Sequence, residues 1–188
     1  MPILDSLADR FPEHPYIQNL LGVAFVQRDK NEAALGRFER ALELSPPDCR
    51  ALRADVLANI GGTRVKLGQL ESAERDYFRA LEYDSNSGGT FANLGNIRLI
   101  QQRYHEAIEF FYTAFELGLQ YRPLPNYVTG SVLGMGRCFR IIGEESAASM
   151  MLEIVRKLPP EHMYLIQDTL DSDEREVSFY NRDLERRT

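Results

Sequence analysis

The sequence predicts an all-α protein in which helix pairs stack in a row, and three observations point to it. A frame of small and large residues recurs four times, starting at Gly22, Gly61, Gly95 and Gly136. Twelve residues after each glycine stands Ala34, Ala73, Ala107 or Ala148. Four further on comes Phe38, Tyr77, Phe111 or Leu152, and three beyond that Ala41, Ala80, Ala114 or Val155. The second observation is a recurring turn signal seven residues past each glycine: Gly68 and Gly143, with Asp29 and Gln102 in the other two copies. The third is composition, since 44% hydrophobic and 27% charged residues suit a sizeable core under a well-solvated surface. A repeated frame of this kind marks units that each bury one face on the next. Function is then expected on a surface that the array creates.

The residue before each frame glycine is Leu21, Ile60, Leu94 or Met135. A Leu-Gly pair followed by an Ala–aromatic–Ala series resembles the tetratricopeptide repeat, a 34-residue pair of antiparallel helices. The resemblance covers roughly residues 15–162. It implies a tetratricopeptide-repeat α-solenoid, a right-handed superhelix of antiparallel helix pairs. The residue types make physical sense in that setting. A glycine or alanine is needed where two helices cross closely, and the aromatic ring fills the space between neighbouring hairpins.

Taken in order, residues 1–14 read as a half-repeat or N-terminal capping helix. Ile3, Leu7 and Pro12 fall in register with the second helix of an earlier repeat, either as a cap or as the remnant of a longer protein. Residues 15–48 form the first repeat, closed by Pro46 just past a helix end. Residues 49–87 form the second. Gly22 and Gly61 lie 39 residues apart, against 34 between Gly61 and Gly95. The surplus, Pro47 to Arg53, predicts a longer first helix capped by Asp48. Residues 88–121 form the third repeat and residues 122–162 the fourth, which ends at Pro160. Pro123 and Pro125 stiffen the loop that leads into the fourth, with Asn126 as the expected cap. Residues 163–188 read as a C-terminal capping helix and an amphipathic tail. In the tail Val177, Tyr180 and Leu184 share one face, and Asp171-x-x-Glu174 resembles a capping box. That tail is either a solvent-facing cap or a detachable helix that binds a partner or the chain itself.

The residues argue against catalysis. His14, His105 and His162 are scattered, with no second metal ligand at helical spacing. The Gly61-Gly62 and Gly88-Gly89 pairs follow no strand pattern, so neither is a phosphate-cradling loop. No cofactor or metal is expected, and the chain is read as non-enzymatic. A net charge of −6 disfavours a general nucleic-acid partner. No apolar run reaches 18 residues, so membrane insertion is not expected. Cys49 and Cys138 lie two repeats apart and read as thiols of a reducing, cytoplasmic compartment.

The resemblance implies that first helices line a concave groove for a protein or peptide partner. Asn59 and Asn93 stand two residues before their glycines and Asn96 one after. Val65 and Leu99 stand four after, Ile100 five after, and Arg137 and Arg140 occupy the same face in the fourth repeat. Asparagine at this place pairs with the backbone of an extended peptide in several members of the family; the alternative is that it is simply frequent there and bonds within the scaffold. The clamp that some members use for the terminal carboxylate of heat-shock chaperones is not present. Its five positions hold Asn19, Val23, Asn59, Gly89 and Asn93, and they lack the cations that a carboxylate requires. Arg64 and Arg98 replace the aromatic expected three residues after the glycine. They are read as paired with acids such as Glu71 or Glu106, the alternative being a basic strip, continued by Arg137 and Arg140, that reads an acidic partner. The functional expectation is an adaptor, scaffold, assembly factor or chaperone. A regulatory or targeting module of a larger enzyme, or a scaffold that self-associates through its terminal helices, are the alternatives.

Overall fold

The computed structural model describes residues 10–158, and the expected elements within 1–9 and 159–188 lie outside that range. Eight helices and no strand occur among the described residues. They are α1 (Pro15–Val26), α2 (Asn31–Leu44), α3 (Arg50–Lys66), α4 (Leu70–Tyr83), α5 (Gly88–Ile100), α6 (Tyr104–Gly118), α7 (Asn126–Ile141) and α8 (Glu145–Arg156). The chain divides into two compact units, Met1–Ile97 and Arg98–Thr188. In the first, α1 packs on α2, α3 on α4, and α2 on α3, so two hairpins stack. In the second, α6 packs on α7 and α7 on α8.

The turn signal has a single structural meaning in all four copies. Asp29, Gly68, Gln102 and Gly143 all take positive φ, at 55°, 74°, 60° and 86°. At each site this residue's N–H bonds the carbonyl three back, and the next N–H reaches the carbonyl five back. The second type of bond runs from Lys30 to Phe25, Gln69 to Arg64, Arg103 to Arg98 and Glu144 to Phe139. This paired capping motif satisfies carbonyls left open at a helix end. It reverses the chain within three or four residues, which is why α1 with α2, α3 with α4, and α7 with α8 pack as antiparallel hairpins.

The frame residues form the core. Ala34, Phe38, Ala41, Leu52, Val56 and Ile60 cluster in the first unit. Ala107, Phe111, Val132, Met135, Cys138 and Val155 cluster in the second. Close approach is what excludes a side chain at the frame glycines. A Cβ on Gly22 would meet the Phe38 ring at 2.5 Å, and one on Gly61 would meet Tyr77 at 2.8 Å. The fourth repeat shifts this pattern: a Cβ on Gly136 would meet Met151, and not Leu152, at 3.2 Å. Phe111 meanwhile occupies the space above Gly134, where a Cβ would lie 2.6 Å from its ring.

The inserted residues lengthen α3 to 17 residues, against 12 in α1 and 13 in α5. The helix begins one residue later than expected, with Cys49 and not Asp48 at the cap. Its added turn places two arginines on the carbonyl ends of neighbouring helices. Arg53 Nη1 donates to Ser45 O at 2.7 Å, and Arg50 Nη2 donates to Glu82 O at 2.7 Å and Tyr83 O at 2.9 Å. Both guanidiniums lie against the Tyr83 ring. Positive charge at helix C-termini is favourable because the unpaired carbonyls there carry partial negative charge. At α7 the cap is Pro125, in extended backbone, and Asn126 is the first helical residue.

Candidate partner-binding site

Periodicity puts residues −6, −2, +1 and +5 from each frame glycine on one face of a first helix, since they differ by three or four. In the first unit this face carries Tyr16, Leu20 and Val23 on α1, Asp55, Asn59 and Gly62 on α3, and Gly89, Asn93 and Asn96 on α5. The exposures agree with an open surface. Leu20 is 50% and Tyr16 54% exposed, Asn96 is exposed, and Asn59 and Asn93 are half-buried. Val65 is half-buried near the far end of α3.

Asn59 is bonded within the scaffold. Its Nδ2 donates to Asn19 Oδ1 at 3.0 Å, linking α3 to α1. Asn19 has the same residue type one position earlier in its repeat, so a search for amides at one fixed offset passes over it. The pair leaves the Asn19 amino group and the Asn59 carbonyl oxygen without a partner among the described residues. A donor and an acceptor side by side can bond successive peptide groups of an extended chain.

The second unit presents different chemistry. Ile100 is 54% and Ile141 51% exposed. Leu99 packs against the core beside Ala107 and Phe111, so packing accounts for part of its apolar character. Arg137 and Arg140 are half-buried, and each already has an interaction.

The arginines in the aromatic column are anchored in the scaffold. Arg98 is buried and pairs with Glu106 at 3.1 Å, as expected, and with Gln101 at 2.9 Å. Arg64 bonds Asp76, and Glu39 at 3.3 Å, and not the Glu71 that the spacing suggests. Glu71 is exposed in the first turn of α4, whereas Asp76 sits one residue before the core Tyr77 and is buried.

No group of three or more potential metal ligands occurs among the described residues, and no helix among them is long and apolar enough to cross a membrane. Cys49 and Cys138 are free thiols.

The chain finds no match among curated protein sequences. Among solved structures it is similar to that of PilF from Pseudomonas aeruginosa, at 22% identity and a TM-score of 0.67, covering 87% of this chain and 70% of that one. It is also similar to MamA, at 11% identity and a TM-score of 0.63, with coverage of 93% and 87%. A third is YrrB, a tetratricopeptide protein with an unusual peptide-binding site, at 19% identity and a TM-score of 0.62, with coverage of 91% and 80%. At these identities the likeness is one of fold. Two tetratricopeptide-repeat family models match, one over residues 2–48 and the other over 54–87 and 89–117. The matched repeats span more than half of the sequence, the same turn recurs in every hairpin, and the chain belongs to the tetratricopeptide-repeat family.

Proposed function

We propose that the chain is a non-enzymatic adaptor or scaffold that holds a peptide segment or helix of another protein against its first helices, as an assembly factor or chaperone. The observation that carries this reading is the amide pair of Asn19 and Asn59, which is poised to bond a backbone whatever its sequence. Asn93 repeats the position of Asn59 on α5, and Asn96 and Val65 extend the same surface. Leu99, Ile100, Arg137 and Arg140 are candidate contacts of the second unit, taken by itself. Peptide binding by YrrB supports the class of ligand.

Calorimetric titration with a bound peptide tests the proposal. A neutral hydrogen bond is worth about 0.5–1.5 kcal/mol, so Asn59→Ala with Asn93→Ala is expected to weaken binding roughly 5- to 150-fold. The loss is expected to be similar for peptides of differing sequence. Unchanged affinity in a double variant that keeps its helicity would move the site off this face.

A further inference from the structure

Tyr16 and Asp55 occupy the same place in successive repeats, six residues before Gly22 and Gly61. Each lies about one helical turn from a member of the amide pair: Tyr16 is three residues before Asn19, and Asp55 is four before Asn59. Because α1 and α3 run in the same direction and are joined at that pair, Tyr16 and Asp55 form the next layer along the groove. We propose that this layer is a subsite for a lysine or arginine side chain of the bound segment, which rests on the reading of this face as partner-binding.

The chemistry of the first unit supports a cation. Asp55 is exposed and makes no ion pair among the described residues. The nearest candidates on its own helix are already engaged, since Arg50 and Arg53 donate to the carbonyl ends of α4 and α2. A second carboxylate, Asp84, acts on Asp55 with like charge, and partial burial followed by that repulsion pushes the Asp55 carboxyl up from its ordinary range. An arriving cation relieves this repulsion. Tyr16 adds an aromatic face that is 54% exposed and is flanked by the His14 ring at 6.0 Å. A carboxylate and an exposed ring, each one turn from the amide pair on neighbouring helices, suit a basic side chain, which brings both a charge and an apolar stem. The net charge of −6 also favours the approach of basic segments.

The test selects a random dodecapeptide phage library on the full chain and resynthesises the best binder. Enrichment of lysine or arginine is the expected result. Asp55→Asn and Tyr16→Ala are each expected to weaken the basic binder about 3- to 10-fold, with the Asp55 effect shrinking at high salt. Asp55→Lys is expected to redirect selection toward acidic peptides. Binders without basic enrichment, or equal affinity for wild type and Asp55→Asn, would overturn the subsite while Asn59→Ala with Asn93→Ala still weakened binding. If the asparagine variant also bound normally, or the library yielded no binder, the groove reading would fall with it.

Discussion

Arg64 stands where the repeat favours an aromatic, and replacing it tests whether charge has taken over a packing role. Its guanidinium ties α3 to α4 through Asp76 and to α2 through Glu39 at 3.3 Å. Asp76 is only 3% exposed, and its other cation, Arg79, reaches it at 3.4 Å from a side chain that is half exposed. Arg64→Leu would therefore leave a buried carboxylate with its weaker partner. Removing one member of a buried pair costs about 3–5 kcal/mol, and the remaining Arg79 contact places this case near the lower end. Asp76→Leu is expected to cost less, about 1–2 kcal/mol, because Arg64 is better hydrated and retains Glu39. Removing both charges leaves neither group stranded, so the double variant is expected to lie within about 1 kcal/mol of wild type. Guanidinium denaturation of the full chain, followed by helical circular dichroism, reads all three variants. An Arg64→Leu midpoint equal to wild type, or a double variant as unstable as the sum of the singles, would refute the reasoning.

Three further outcomes follow from the scaffold. Gln102→Gly is expected to raise stability by about 0.5–1 kcal/mol, because Gln102 holds a φ of 60° that glycine adopts without strain; an unchanged or lower melting temperature would contradict this. The Thr129 and Ser131 hydroxyls are buried without a hydrogen-bond partner among the described residues, so Thr129→Val and Ser131→Ala are each expected to be neutral or stabilising by about 1 kcal/mol in the same melts. Burial pushes the Cys138 thiol up from 9.0 to about 11, against weaker lowering by Arg137 and a backbone hydrogen bond. Between those values the unfolded chain loses the proton first, so stability falls as pH rises from about 9 toward 11, and Cys138→Ala should flatten that decline in pH-dependent denaturation.

Much of the fold is legible because each frame position has one dominant physical demand. Gly22 must leave room for the Phe38 ring, and Ala107 must vanish into the core, so a change of residue at either place is conspicuous in sequence. The turns are legible even where glycine is missing, since Asp29 and Gln102 are held in the left-handed region by the same capping bonds as Gly68 and Gly143. Helix starts are less legible. Asp48 and Asn126 are good capping types, yet Cys49 and Pro125 hold the cap positions and neither makes a side-chain capping bond. Partner choice among acids is legible only where spacing limits it. Arg98 finds Glu106 eight residues on, but Arg64 reaches past exposed Glu71 to Asp76, because the buried carboxylate has more to gain from a cation.

The same comparison separates structural from functional departures in the array. Arg64 and Arg98 break the aromatic column, and the structure supplies a partner for each inside the scaffold. Arg50 and Arg53 fill an insertion, and their donors end on helix carbonyls. These residues are explained by packing, so they carry little information about a ligand. Asn19, Asn59 and Asp55 differ. The amides satisfy each other only in part, and Asp55 sits exposed near a second carboxylate without an ion pair among the described residues. Partial burial, and after it the like charge of Asp84, disfavour the charged form of Asp55, so Asp55→Asn is expected to leave the fold intact. A cation carried by a bound segment would give the Asp55 carboxylate the partner that the described residues do not, which is why this face of the first unit is the proposed site.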